Sequence, residues 1–231
     1  MEESRQPNST KDALVKLTSS EVVQSSIKTG LEAIPIVGGS IASVLGDVLE
    51  KKFDQMMEML KRLKDRVSEI QDQLDSDYVR RDDFISLFEQ AVKEYVNTPY
   101  SVKKEFIIGL VVSSMKGPGD YYERDYFLRK VVELSAVQLE LLKLYHDPEK
   151  AFISKDIDPE QIKGLGYKSV VAKYLPDTNM EVIRAAHKDL YNLGFLTTDS
   201  NVFGTVMAGS GLYIVRGRTT PLGTRFVETG L

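Results

Sequence analysis

LEKKFDQMMEMLKRLKDRVSEIQDQL, residues 49–74, is the stretch on which the fold class turns. Leu49, Phe53, Met56, Leu60, Leu63, Val67, Ile70 and Leu74 follow one another at alternating steps of four and three. That 3.5-residue repeat is the pattern of an α-helix packing along one seam against another helix. Lys51, Asp54, Glu58, Lys61, Arg62, Asp65, Glu69 and Asp72 occupy the other faces, mixed in sign as expected for sides that meet water. A heptad seam serves equally for two chains or for two helices of one chain, and both pairings stay open at this level. Self-association or capture of a protein partner through this helix is the resulting expectation.

Followed backwards, the seam meets Gly46, Ala42 and Gly39, so one helix is expected over 41–76, with a contact line that begins small and ends large. Small residues let two backbones approach closely. Ile41, Val44, Leu45 and Val48 fall on the remaining faces, and Ile36 lies in the turn leading in. The whole stretch 30–49, GLEAIPIVGGSIASVLGDVL, is about as long as a membrane span of roughly 20 residues. Glu32, Pro35 and Asp47 interrupt it and argue against a simple span. A helix apolar nearly all round is buried in protein or placed in lipid. Two readings follow: a helix threaded through a bundle, or a hairpin sheltered at rest that enters a membrane on activation. Ahead of this, residues 1–18 read as a flexible polar tail without the basic start and apolar run of a signal peptide. Ser19 and Ser20 can cap a short helix ending near Lys28.

Downstream, short amphipathic helices are expected from Asp82 (Phe84, Leu87, Phe88, Ala91, Val92, Tyr95) and from Ser101 (Phe106, Ile107, Leu110, Val111, Met115). Lys116-Gly117-Pro118-Gly119 breaks the chain before a further helix over 122–134. Ser135 and Gln138 form a capping box for a helix carrying Leu139, Leu142 and Tyr145, which Asp147-Pro148 ends. The natural assembly is a bundle around the heptad helix. Residues 19–134 therefore read as one helical region.

From 135 to 231 the pattern changes. A helix over Lys168–Tyr174 is followed by one capped by Asn179, with Val182, Ile183, Ala186, Leu190 and Leu193 as its buried stripe and Gly194 as its stop. Phe195-Leu196-Thr197 reads as a strand start. Val202–Met207 and Leu212–Val215 are β-rich runs joined by Ala208-Gly209-Ser210-Gly211, a hairpin signal. Thr220-Pro221-Leu222-Gly223 opens a last helical turn, with Phe226 packing back. Helix, helix and hairpin in this order are those of a winged helix. The fold class expected is thus mainly α: a helical bundle with one long heptad helix, plus a small C-terminal α+β winged-helix-like module.

The stretch Leu190-Tyr191-Asn192-Leu193-Gly194-Phe195-Leu196, followed by Thr220-Pro221-Leu222-Gly223, resembles winged-helix families, in which such segments bracket the wing. The chain over most of residues 30–228 also resembles uncharacterised bacterial proteins. In these an "IPIVGG" segment and a coiled-coil helix precede a helical region and a winged-helix-like end. Ile34–Leu49 looks like the glycine-rich helices of membrane-acting cell-death domains. These likenesses imply architecture and, for the last, a membrane-acting, defence-type effector.

Chemistry is sparse in the sequence. The 231 residues contain no cysteine, which removes thiol nucleophiles, thiolate metal sites and disulfides, and fits a reducing compartment such as the cytoplasm. His146 and His187 stand far apart, so a histidine-rich metal centre is not expected. His146 sits at a helix end beside Asp147, where the dipole favours an imidazole. His187 reads as a surface or helix-end residue. Gly209-Ser210-Gly211 reads as a turn, not a nucleophile elbow. Asp156, Asp158 and Glu160 lack the glycine and distal glutamate of a calcium loop and read as a solvated linker. No catalytic residue, cofactor, metal or small-molecule substrate is expected.

With 30 Lys and Arg against 34 Asp and Glu, the net charge of −4 does not call for nucleic acid, so any duplex contact must come from a local patch. On a winged helix that patch would be Arg184, His187 and Lys188 on the second helix, Arg216 and Arg218 on the wing, and Arg225 just after. Glu181 and Asp189 on the same helix oppose it. The function expected is a non-enzymatic interaction and assembly protein, with membrane association on activation as its specific form. A winged-helix DNA-binding regulator is the alternative.

Overall fold

The structure is a computed structural model that describes residues 49–117, 121–204 and 211–231, with the backbone alone at 49–54 and 121. The tail, the helix expected over 19–28 and the segment carrying Ile36, Gly39, Ile41, Ala42, Val44, Leu45, Gly46 and Val48 lie outside the described residues. So do the side chains of Leu49 and Phe53. The chain divides into two compact units between Arg129 and Lys130, ahead of the boundary expected between 134 and 135.

In the first unit, α1 (Leu49–Glu69), α2 (Asp82–Asn97) and α3 (Ser101–Ser114) each pack on the other two. The seam faces inward: Met56, Leu60, Leu63 and Val67 are buried, and so is Met59, which the strict heptad leaves out. The reason is geometric. A helix packed on two neighbours needs a broader apolar stripe than the narrow line of a two-stranded coil. The described seam residues from Met56 to Val67 are thus covered within the same chain.

The helix also ends sooner than expected. It ends at Glu69, where the pattern ran to 76, and passes into a single 3-10 turn, Gln71–Gln73. Leu74 is extended, and Asp75 turns to the next element: its carboxylate accepts the Asp77 and Tyr78 amides at 3.1 and 2.9 Å. Exposed Gln71, Asp72 and Gln73 offer no packing that would reward another helical turn. The side chains expected to be apolar on α2 and α3 are all buried. α3 goes further: Ile108, Gly109 and Val112 are buried beside the expected Phe106, Ile107, Leu110 and Val111, so it is enclosed on nearly every side.

One polar cluster fixes the register of the three helices. Tyr95 on α2 donates its hydroxyl to Glu58 on α1 at 2.9 Å, and Lys104 on α3 pairs with the other Glu58 oxygen at 3.1 Å while lying over the Tyr95 ring. Partial burial pushes the Glu58 carboxyl up. The Tyr95 and Lys104 hydrogen bonds and the charges of Lys104 and Arg62 outweigh this and hold it below its ordinary value. Helix α4 (Tyr121–Glu133) leads into the second unit.

The second unit is built on α5 (Ala136–His146). Its Ser135–Gln138 capping box forms as the sequence indicates, and Leu139, Leu141, Leu142, Leu144 and Tyr145 are completely buried. α6 (Pro148–Ile153), α8 (Met180–Asn192) and α9 (Pro221–Gly230) pack on it, while α7 (Tyr167–Tyr174) precedes α8. Asn179 caps α8 through the Glu181 amide at 2.7 Å. At its other end Gly194 takes φ +76°. The Phe195 amide reaches back to the Leu190 carbonyl at 3.0 Å and the Gly194 amide to Tyr191 at 2.9 Å, the paired bonds of a glycine-terminated helix.

The described parts of the expected hairpin are not strands. Among the described residues there is no strand, and the described parts of the β-rich runs lie in 3-10 turns over Ser200–Gly204 and Gly211–Ile214; residues 205–210 lie outside the described residues. What remains of sheet is one antiparallel bridge, Leu196 with Thr219, flanked by Thr197 donating to Arg218 O at 2.8 Å and Thr220 donating to Phe195 O at 2.9 Å. Val202, Phe203, Ile214 and Val215 are buried where they stand, so their apolar character serves local packing and not a ladder. The fold is mainly α-helical, and no β winged module is seen among the described residues.

The Thr220–Gly223 motif has a clear physical basis. Thr220 accepts the Gly223 amide at 3.0 Å as the helix cap and donates its hydroxyl to Gly194 O at 2.6 Å. Pro221 supplies a preset φ at the first helical position. A Cβ at Gly223 would stand 2.2 Å from the Phe195 carbonyl oxygen, so only glycine lets α9 lie against this segment.

Candidate functional site

Helix α8 carries the largest group of the residues expected to bind a partner. Its buried side is Ile183, Ala186, His187 and Leu190. Val182 and Leu193, expected on that side, are 51% and 36% exposed instead. The stripe is rotated because His187 takes a core position that the apolar pattern assigned to its neighbours.

His187, expected at the surface, is completely buried. Its Nε2 lies 2.8 Å from the Thr198 carbonyl oxygen and its Nδ1 3.0 Å from the Tyr145 hydroxyl. A carbonyl can only accept, so Nε2 carries the proton and Nδ1 accepts from Tyr145. Tyr145, Tyr167 and Phe203 surround the imidazole edge to face, at ring separations of 5.4, 6.4 and 5.2 Å. Burial holds His187 below the ordinary imidazole value. The Thr198 and Asp199 backbone and the Asp199 carboxylate pull it back up, and the Arg218 charge adds to the fall. Tyr145 is raised well above the ordinary phenol by burial, and Tyr167 is raised by the same cause. The Tyr167 hydroxyl is buried and meets no partner at ordinary hydrogen-bond geometry, and the two phenols influence each other's ionisation.

The remaining basic residues separate. Arg218 turns inward: its guanidinium donates to Ile214 O at 3.2 and 2.9 Å and to Thr198 Oγ1 at 3.3 Å. Arg216 is exposed, 3.7 Å from Glu149 and 5.9 Å over the Tyr213 ring. Arg225 is exposed on α9, with its guanidinium 3.5 Å from Pro221 O. Arg184 and Lys188 are exposed one turn apart on α8, Arg184 lying 5.9 Å over Phe203. The outer side of α8 therefore presents Glu181, Val182, Arg184, Ala185, Lys188, Asp189 and Tyr191, balanced in charge with apolar groups between.

The sequence reading named Tyr145 for its helix stripe but did not join it to His187, and it missed Tyr167, Thr198 and Phe203. Only the stripe register on α8, where position 187 falls between Ile183 and Leu190, could have pointed to a buried histidine. Among the described residues no group of three metal-ligating side chains occurs, and no helix is long and apolar enough to cross a membrane. No family model, curated protein or solved structure matches the chain.

Proposed function

We propose that this is a non-enzymatic interaction and assembly protein whose C-terminal unit associates through the outer face of α8, with a second copy of the chain as the partner. The observation that carries this is the composition of that face. Val182 is 51% and Tyr191 43% exposed, among two acids and two bases. A polyanion would require one sign of charge, whereas a protein surface accepts both around an apolar centre. The order of the charges is self-complementary. When two α8 helices run antiparallel about a two-fold axis, Glu181 of one faces Lys188 of the other, with Ala185 allowing close approach at the centre.

Sedimentation velocity across a concentration series tests the reading. The chain should self-associate, and Glu181→Lys or Lys188→Glu should weaken this, since like charges then meet. The double exchange should restore it. A monomer at every concentration, or a double exchange no better than the single ones, overturns the proposal.

Exposure of Arg184 and Lys188 one turn apart favours one other reading, a regulator that touches duplex DNA. A mobility shift at low salt that Lys188→Glu removes would replace the assembly reading with it. The membrane-acting form has its support in the sequence pattern of residues 30–49 and in the resemblance of Ile34–Leu49 to the glycine-rich helices of membrane-acting cell-death domains. Dye release from anionic liposomes, lost on placing polar residues at Ile41 and Val44 in a chain that still folds, is its test.

A further inference from the structure

We propose that His187 is an acid-sensitive latch for the arm Thr198–Gly204: uptake of a proton by the imidazole favours lifting of the arm from helix α8. The arm leaves the Leu196–Thr219 bridge, makes the 3-10 turn Ser200–Gly204 and lays Val202 and Phe203 onto the unit. Its ties are few. His187 holds the Thr198 carbonyl, Arg218 holds the Thr198 hydroxyl, and Phe203 seats its ring against His187 and, at 5.0 Å, against Tyr167. Short 3-10 turns with mainly local hydrogen bonds belong to the low-stability end of a structure, where local opening is easiest.

The closed arrangement fits a neutral ring. Nε2–H donates to Thr198 and the Nδ1 lone pair accepts from Tyr145, so both nitrogens are satisfied without charge. A second proton must go on Nδ1, where the Tyr145 O–H already points. Tyr145 must then turn its own proton elsewhere. Tyr167 is stacked on it at 6.1 Å, and its buried hydroxyl lacks a partner, which makes that oxygen the acceptor available. The charged groups facing the ring divide. Arg218 opposes a positive imidazolium and Asp199 on the arm favours it. Tyr145 from α5 and Tyr167 from α7 are neutral, and Arg184, one turn back on α8, lies over Phe203. Charging the ring in this aromatic enclosure is unfavourable, and lifting the arm relieves it by admitting water. The open form then binds protons as an ordinary imidazole does. Each pH unit below about 6.5 shifts the arm roughly tenfold toward open until the closed form also protonates.

Amide exchange on the full chain, expressed as protection factors between neutral and mildly acid pH, tests this, together with a proton NMR titration of the two histidines. Protection at Asn201 and Val202 should fall up to tenfold per pH unit while Leu142 and Leu144 of α5 keep theirs. His187→Gln, which can still donate to Thr198, should make the arm's protection independent of pH. Tyr167→Phe removes the acceptor to which Tyr145 turns and should move the His187 midpoint to lower pH, a shift that a purely packing role would not produce. The proposal is overturned if arm and α5 lose protection together, if His187→Gln keeps the pH dependence, or if Tyr167→Phe leaves the midpoint in place.

Discussion

Replacing Gly223 with alanine adds a single methyl group, yet the structure makes it a severe change. The new Cβ would lie 2.2 Å from the Phe195 carbonyl oxygen and 3.1 Å from its carbon, against an ordinary contact of about 3.5 Å. Backbone cannot rotate away as a flexible side chain does, so α9 and the 195–197 segment must separate by about 1 Å. That separation strains the Thr220–Phe195 hydrogen bond of 2.9 Å, the Leu196–Thr219 bridge and the 5.0 Å Phe195–Phe226 ring contact. Overpacking of this kind costs about 1–3 kcal/mol, and a weakened hydrogen bond adds about 1 kcal/mol. The helix-forming advantage of alanine, up to about 1 kcal/mol, offsets part of this. With the full offset the expected net loss is about 1–3 kcal/mol. For a unit of this size that is a fall of roughly 5–20 °C in melting temperature if it unfolds on its own.

Urea and thermal denaturation followed by circular dichroism measure the effect. Gly204→Ala is the matched control: nothing lies within 4 Å of its added Cβ and its backbone is not left-handed, so its stability should be near the starting value. If Gly223→Ala melts at or above the parent temperature, the close packing of α9 on the Phe195 segment is wrong. The account of the Thr-Pro-Leu-Gly motif then falls with it.

Ser135→Ala removes the cap that accepts the Gln138 amide at 3.2 Å and should cost about 1 kcal/mol, read from urea melts, because the reciprocal Gln138 bond survives. In the first unit, Glu58 has a depressed carboxyl, so its contribution is present above the ordinary carboxylate range and lost as pH falls through its folded value. Glu58→Gln should flatten that acid dependence, and Tyr95→Phe should be coupled to it in a double-mutant cycle; additive effects would show that the cluster does not act as one. In the second unit His187 has the opposite sign of linkage for an imidazole gaining a partner. Its lowered value means stability is full above about 6.5 and declines as pH falls, by at most about 1.4 kcal/mol per unit. Urea midpoints of the parent and of His187→Gln between neutral and acid pH should therefore diverge; parallel curves would contradict the buried neutral histidine.

What the sequence reveals about this chain is what neighbours along the chain decide. The α1 periodicity, the Ser135 box, the Asn179 cap and the Gly194 stop are legible because each is a contact between residues a few positions apart. The described parts of the expected hairpin are not strands for the converse reason. Val202–Met207 and Leu212–Val215 have strand composition, but a strand exists only when a partner takes its hydrogen bonds. Here Gly211, at φ +60°, brings its backbone against Ile162, where a Cβ would stand 2.9 Å from the carbonyl oxygen. That contact joins residues almost fifty positions apart. The same limit hid His187: its burial depends on Tyr145, Tyr167 and Phe203, none of which lies on its helix.

This division also changes what any nucleic-acid binding could be. Six groups read from the sequence would release enough counterions for affinity to fall with a salt slope of about −5, a loss of about a thousandfold between about 50 and 200 mM salt. The structure turns His187 and Arg218 inward and places Arg216 beside Glu149, which leaves Arg184 and Lys188 on α8 and Arg225 on α9 as the remaining exposed cations of the six. Three phosphate contacts give a slope of about −3 and a loss of about fortyfold over the same range. Glu181 and Asp189 on the same face reduce even this. Duplex titrations at several salt concentrations therefore distinguish the two pictures. A slope near −5 would require cations beyond these among the described residues, while a shallow slope or no binding accords with the proposed association through α8.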